Sequence, residues 1–186
     1  MSDHSSTYFD RKRSASYDRR AARLLGGLYR RVAADVAALA APGAVVLDVG
    51  TGPGRLLHQL AARRADLVLG GVDLSADMVA VANAAAGAWS SRITFQVADV
   101  TSLPRPDDSV DLIVSTLSMH EWPDHRRAVT ELRRVLRPGG LLLVYDFRFA
   151  RFEREAFSDF ARVRRAPVRL KWWPMALFAG VTASKH

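Results

Sequence analysis

Gly50, Gly52 and Gly54 directly follow the run Val45-Val46-Leu47-Asp48-Val49 and precede Arg55-Leu56-Leu57-His58-Gln59-Leu60. An apolar run that stops at a glycine turn and restarts as a helix is a strand–turn–helix unit, the device by which α/β proteins bring bare backbone up to a nucleotide-like ligand. The spacing is G-x-G-x-G with an acidic residue, Asp48, two positions before the first glycine. A dinucleotide fold wants G-x-G-x-x-G, and a phosphate loop wants a G-K-[ST] ending; neither is present.

The 186 residues are enough for one hydrophobic core, and no linker or low-complexity tract divides them. Residues 1–186 are therefore taken as a single domain, with 1–40 an N-terminal arm and helix and 41–186 the core. With no cysteine, disulfides and thiolate metal sites are excluded, and no basic, then apolar, leader opens the chain. A soluble cytoplasmic protein is expected. The apolar stretch 174–183 is too short to span a bilayer, so no membrane partner is expected. The net charge of +8 is carried mostly by scattered arginines such as Arg63, Arg64, Arg133 and Arg134, read as solvated helix faces. Between Arg162 and Trp173 basic and apolar residues interleave, a patch suited to an acidic ligand or partner.

Residues 1–20 read as a mobile or loosely helical arm. Helical periodicity starts near Ala21, with Leu25, Leu28, Tyr29, Val32 and Val36 on one face, and Pro42-Gly43 stops it. Strands are then expected over 45–49, 67–73, 93–97, 110–116 and 141–145. Helices begin after Gly54, after Ser75 as N-cap, and around Ala128, the last continuing to Pro138-Gly139-Gly140. A final helix would carry Phe152, Ala156, Phe157 and Phe160, followed by a hairpin of strands near 168–172 and 175–182. The alternation predicts an open, mainly parallel sheet with helices on both faces and a C-terminal antiparallel hairpin.

Further motifs follow the glycine loop in order: Gly71-Val72-Asp73-Leu74-Ser75-Ala76-Asp77-Met78, Ala98-Asp99-Val100-Thr101-Ser102-Leu103-Pro104, Asp107 to Ser115, and Leu132 to Gly140. Together with the loop they resemble the class I S-adenosylmethionine-dependent methyltransferases over roughly residues 40–147. The nearest branch is the small-molecule one that includes the ubiquinone/menaquinone-biosynthesis C-methyltransferases, and Phe9-Asp10 with Tyr17-Asp18 is similar to its opening segment. The resemblance implies a Rossmann-like seven-stranded sheet and S-adenosylmethionine as cofactor, leaving as S-adenosylhomocysteine.

The same resemblance implies the binding residues. Tyr17, Gly50, Gly52, Gly54 and Ser115 would line the cofactor, the glycines because a Cβ would collide with its methionine portion. Asp48 either holds the methionine ammonium or caps the amides of its own turn. Asp73 would take the two ribose hydroxyls, a bidentate task for a carboxylate. Leu74 and Met78 would cover adenine, with Asp99 accepting from the adenine amino group and the Val100 amide meeting a ring nitrogen. Read without that context, Met78 is core and Asp99 a turn residue.

His120 follows the fourth strand, where an open sheet presents its loops to the ligand crevice, and imidazole chemistry suits it to take a proton from an acceptor. A structural histidine capping the loop is the other reading. His120-Glu121 and His125 are spaced wrongly for a zinc site, and Pro123 interrupts the helix that would align them, so no metal is expected. His4, His58 and His186 read as surface or packing residues.

No Asn/Asp-Pro-Pro-aromatic motif follows the fourth strand, so nucleic-acid substrates are disfavoured. The short connection after the fifth strand builds no lid, which leaves residues 1–40, the C-terminal aromatics or a second subunit of a homodimer to roof the acceptor. The leading expectation is methyl transfer to an O, N or C atom of a small molecule, the basic stretch suiting an anionic one. The alternatives are a cofactor-binding regulatory or non-methylating protein and an RNA or protein methyltransferase.

Overall fold

The computed structural model describes the backbone of residues 11–170 and 176–186 and the side chains of 25–170 and 176–186. Seven strands form one sheet in the order β3-β2-β1-β4-β5-β7-β6. They are β1 Val45–Val49, β2 Val68–Asp73, β3 Ile93–Val97, β4 Val110–Thr116, β5 Leu136–Phe147, β6 Arg162–Val168 and β7 Phe178–Ser184. All neighbours are parallel except β7, which runs antiparallel to both β5 and β6. The chain order reverses between β1 and β4, and such a switch point opens a crevice at the strands' carboxyl ends.

The helices are α1 Arg11–Leu39, α2 Arg55–Arg63, α3 Ala76–Ala86 and α4 His125–Val135. Leu28, Val32 and Val36, one helical turn apart along α1, are wholly buried with Leu56, Leu57 and Leu60 of α2 against one face of the sheet. Ala128, Val129, Leu132 and Val135 of α4 cover the other face, against Leu47, Ile113 and Leu142. The sheet is thus covered on both sides, which is why its central strands are mostly apolar, Asp48 of β1 and Ser115 of β4 being buried exceptions. No helix among the described residues is long and apolar enough to cross a membrane.

Four expectations need correction. First, α1 begins at Arg11, ten residues before the periodicity; its opening turns carry no apolar stripe, yet nothing in them breaks a helix. Second, α4 ends at Val135, and Pro138-Gly139-Gly140 lies inside β5, where the register with β4 slips between Val110 and Leu112. Gly139 takes φ +77° there, and a Cβ on Gly140 would stand 2.8 Å from the Arg137 carbonyl oxygen, so the glycines shape a bulge and not a helix stop. Third, the final helix is only a 3-10 turn, Arg154–Phe157. Phe152, Phe157 and Phe160 still cluster, with successive centroids 5.3 and 6.2 Å apart, but β6 claims the chain from Arg162. Fourth, the hairpin strands are 162–168 and 178–184, so Arg162, Arg164 and Arg165 of the basic patch are strand residues, seated there by pairing with β7, while Arg169 lies beyond the strand. The Trp172–Trp173 pair lies outside the described residues, as do residues 1–10 of the arm.

Two of the arginines read as solvated are built into the fold. Arg64 donates to the carbonyls of Ala37 (2.6 Å) and Ala40 (3.2 Å), which end α1 without intrahelical partners, and also holds Asp66. Arg134 gathers Glu131, Asp107 and the carbonyls of Leu103 and Arg105, fixing the loop between β3 and β4.

Candidate active site

A cleft opens at the carboxyl ends of β1, β2 and β4. Its floor is Val49, Gly50, Gly52 and Pro53; one wall is Asp73, Leu74, Ser75 and Met78, continued by Ala98, Asp99 and Val100. The facing wall is Thr116, Leu117, Ser118, Glu121, Trp122 and Pro123, and Tyr29 of α1 reaches in from the side.

The glycine loop is stapled to β2. The amides of Gly50 and Thr51 both donate to the Val72 carbonyl, at 2.9 and 3.0 Å, the Gly54 amide to Thr51 O, and the Gly52 amide to Asp73 Oδ2 at 2.8 Å. With Pro53 having no N–H, these loop amides are committed inside the protein and do not form a phosphate cradle. The three glycines serve different needs. A Cβ on Gly50 would meet Ser118 Oγ, and one on Gly54 would stand 2.6 Å from the Phe95 ring, so Gly54 serves packing and lies off the cleft wall. Gly52, at φ +53°, would point a Cβ into open space on the cleft floor. Gly52→Val is expected to strain the backbone and fill that floor, so that S-adenosylhomocysteine binding is lost while circular dichroism stays that of the wild type; wild-type affinity would mean the ligand sits elsewhere.

Each oxygen of Asp73 already accepts one amide, Oδ2 from Gly52 and Oδ1 from Ser75 at 2.9 Å. That leaves one lone pair on each oxygen for a ligand. Burial raises its carboxyl above the ordinary range, opposed by those two amides. Asp99, exposed on the cleft wall, accepts from the amide and hydroxyl of Thr101 with Oδ1 at 2.8 and 2.9 Å. Leu74, 60% exposed, and the buried Met78 supply apolar wall beside Asp73, as Val100 does beside Asp99.

Asp48 lies beneath the loop, 2% exposed, with Oδ2 accepting from the Thr51 hydroxyl at 2.8 Å and Oδ1 buried without a partner. Burial pushes its carboxyl up from 3.8 to about 7, Thr51 opposing and the charge of Asp73 adding. Because the folded value lies above the unfolded one, the native state keeps a proton that the unfolded chain releases. Stability from this group is therefore full below the unfolded value and falls as pH rises towards the folded one. Asp48→Asn should remove that loss: relative to wild type the variant gains a few kcal/mol between about pH 4 and pH 7, read from urea unfolding at several pH values. A constant difference across that range would refute it.

The wall after β4 is set by Leu117, which takes φ +58°, a conformation bulky residues rarely adopt. Its amide donates to Tyr145 O at 2.7 Å, and the turn delivers Ser118, whose Oγ accepts from Trp122 Nε1 at 3.0 Å. Next comes His120 on the 3-10 turn Met119–Glu121; Ser118 and Glu121 to either side of it line the cleft, and His120 itself stands beside the lining. Its backbone amide donates to Asp146 Oδ2 at 2.9 Å, and its Nδ1 lies 2.9 Å from Asp146 Oδ1. Asp146 is 3% exposed at the end of β5. An ionised carboxylate only accepts, so Nδ1 carries the proton and Nε2 is left with a free lone pair on a side chain one-third exposed. Glu121 on the cleft wall stands 4.0 Å from that Nε2; burial raises its carboxyl, His120 opposes the shift, and Asp73 and Asp146 add to it.

Ser115 lies within β4, wholly buried, its Oγ without a partner, and is not on the cleft wall; Thr116 and Ser118 are. The side chain of Tyr17 lies outside the described residues. His125 turns away from His120: its Nε2 meets Met119 O at 3.0 Å and its Nδ1 faces Glu153 at 3.4 Å. Among the described residues no group of three acidic or histidine side chains is placed to hold a metal ion. His58 packs edge-on against Phe95. Asp146 and Tyr29 had no signal as site residues in the sequence, since strand adjacency alone brings Asp146 to His120 and Tyr29 falls on the apolar stripe of α1.

A family model for a methyltransferase domain matches residues 47–144, more than half of the chain. The chain belongs to that methyltransferase family. The methyltransferase domain is 36% identical over 115 residues to the ubiquinone/menaquinone biosynthesis C-methyltransferase of Geotalea daltonii, covering 60% of this chain and 49% of that protein. It is 34% identical over 121 residues to the 27-O-demethylrifamycin SV methyltransferase of Amycolatopsis mediterranei, covering 64% of this chain and 44% of that protein. The chain thus spans about half the length of these curated relatives. The crystal structure of a putative S-adenosylmethionine-dependent methyltransferase from Methanococcus maripaludis shares the fold, with a TM-score of 0.78 at 23% identity, covering 100% of this chain and 97% of that one.

S-adenosylmethionine is the cofactor that family membership implies. The cleft fits it on chemical grounds: a floor without a Cβ at Gly52, two carboxylates on one wall with spare acceptor capacity, and apolar side chains between them. A sulfonium cofactor with a ribose, an amino-purine and an ammonium asks for acceptors and apolar cover, not for a nest of free amides.

Proposed function

We propose that this methyltransferase domain transfers a methyl group from S-adenosylmethionine to a small-molecule acceptor whose attacked atom carries a removable proton. The observation that carries the reading is the Asp146–His120 pair beside the cleft, which orients the imidazole and frees Nε2. When bound, the cofactor supplies an electrophilic methyl carbon and a neutral thioether leaving group.

The chain's own residues then have separate tasks. Asp73 holds the ribose hydroxyls, Asp99 and the Val100 amide meet the purine, Leu74 and Met78 cover it, and Gly52 leaves room beneath it. Tyr29 and Trp122 narrow the cleft and exclude water. His120 Nε2 takes the acceptor's proton, and Asp146 holds the resulting imidazolium through Nδ1. Few further groups are needed, because alignment supplies much of the rate.

The relatives' names support small molecules as the acceptor class and span both C- and O-methylation. The arginines of β6 lend no support to an anionic acceptor. They lie on the edge strand beyond β5 and β7, and Arg165 is engaged with the Arg148 carbonyl and the Phe152 ring. Incubation with methyl-labelled S-adenosylmethionine and a fractionated metabolite extract, followed by identification of labelled products, tests the proposal. Label in a small molecule is expected. Tight S-adenosylhomocysteine binding with no label transferred to any fraction would favour the regulatory reading, and label in RNA or protein alone would overturn the acceptor class.

A further inference from the structure

The lining of the cleft carries Asp73, Asp99 and Glu121 and, among the described residues, no lysine or arginine. Asp73 and Asp99 have their tasks with the cofactor in the function proposed above; Glu121, on the facing wall, has none. Among the described residues its carboxylate accepts no hydrogen bond, and the one basic group within 4.0 Å of it is His120, through Nε2. Burial disfavours its charge, His120 opposes that, and Asp73 and Asp146 add to it, so a cation arriving there is favoured by every negative group in reach. Thr116 on the same wall is 4% exposed, with its Oγ1 unpartnered. Trp122 spends its indole N–H on Ser118 Oγ and offers the cleft only its ring, and Tyr29 brings a second ring from α1. Aromatic faces attract cations and repel anions.

The 4.0 Å between Glu121 Oε1 and His120 Nε2 selects further. With Nδ1–H committed to Asp146, Nε2 is an acceptor, as the carboxylate is. Two hydrogen bonds of about 2.9 Å from one donor atom span that gap at roughly a right angle. Such a donor must carry two hydrogens. A hydroxyl carries one and a ring C–H donates to neither acceptor, whereas a protonated primary or secondary amine carries at least two.

We propose that the methyl acceptor is a protonated primary or secondary amine, held between Glu121 and His120, and that its nitrogen is the atom methylated. The transfer rests on the function proposed above; the grip on an amine is a binding property of its own. One ammonium hydrogen passes as a proton to His120 Nε2, giving an imidazolium held by Asp146. The lone pair thus freed on nitrogen forms the new N–C bond to the methyl carbon, the C–S bond breaks with its electron pair going to sulfur, and the product is an N-methylammonium ion. Glu121 therefore faces a cation on the same nitrogen before and after transfer.

The test uses benzylamine, benzyl alcohol, phenylacetate and benzyltrimethylammonium, which share a benzyl frame and differ in charge and in N–H groups. Affinities are measured by ligand-observed NMR titration on the full chain at neutral pH, with and without S-adenosylhomocysteine. Wild type is expected to bind benzylamine about tenfold more tightly than benzyl alcohol and phenylacetate most weakly. Benzyltrimethylammonium, a cation without N–H, should fall between benzylamine and the alcohol. Glu121→Gln should bring benzylamine down to the alcohol, and Glu121→Asp, which keeps the charge, should retain most of the preference. Equal affinities for benzylamine and benzyl alcohol in wild type, benzyltrimethylammonium as tight as benzylamine, or an undiminished preference in Glu121→Gln overturns the proposal. These outcomes separate from those of the proposed function: a preference for benzylamine without S-adenosylhomocysteine binding keeps the amine site and defeats the methyltransferase reading, and the reverse defeats the amine site alone.

Discussion

Asp73→Ala is expected to weaken S-adenosylhomocysteine binding by on the order of 3 kcal/mol, roughly a hundredfold or more, with the fold preserved. Two losses add. The ribose forfeits two hydrogen bonds to a carboxylate, and the amides of Gly52 and Ser75 lose the acceptor that ties the glycine loop to β2 and the start of α3. The loop therefore loosens just where the cofactor must lie. Asp73→Asn keeps the shape but turns an NH2 group towards one of those two amides, so it should recover only part of the affinity. Calorimetric titration of the three proteins decides the matter, and an unaltered affinity in Asp73→Ala would sink the assignment. Unfolding by urea should show the fold intact, because Asp73 sits at the end of its strand and not in the core.

His120→Ala should leave S-adenosylhomocysteine affinity nearly unchanged and lower kcat about 100-fold or more, once an acceptor is in hand. His120 is the proposed base, oriented by Asp146; Glu121, which lines the cleft 4.0 Å from Nε2 with its carboxyl raised by burial, is the other candidate base, and undiminished kcat in His120→Ala would point to it. Asp146→Asn tests the pair from the other side. Its NH2 must oppose either the His120 amide or Nδ1–H, so the ring is released from the orientation and tautomer that free Nε2. A fall in kcat of about 10- to 100-fold with little change in KM is expected. Full activity in both variants would make His120 a structural anchor for the loop after β4.

The fold was legible because its signals are local. β1, β3 and β4 fall on the expected residues, since each is a short apolar run bounded by turn residues. Ser75 caps α3 through the Met78 amide as its position before the helix requires. The errors occurred where a partner strand outweighs local preference. Arginines 162, 164 and 165 are poor strand formers, yet β7 recruits them, and the Pro-Gly-Gly that reads as a helix stop is a bulge that β4 and β7 hold within β5.

The candidate site divides in the same way. The resemblance carried by the ordered motifs implied Asp73, Leu74, Met78, Asp99 and Val100 as one set, and all of them line one wall of the cleft. The glycine spacing marked the loop but not the work of each glycine. Whether a missing Cβ makes way for Ser118, for Phe95 or for open cleft depends on what other segments bring to that point. Asp146, Tyr29 and Ser118 needed the tertiary structure, because each is brought to the cleft or to His120 by residues distant in sequence or by a turn geometry that composition does not encode. What the sequence by itself determined was the α/β alternation, the methyltransferase resemblance and the carboxylates at the ends of β2 and β3. What only the folded chain decided was the pairing that orients His120: a hydrogen bond between residues 26 apart in sequence exists because β4 and β5 lie side by side.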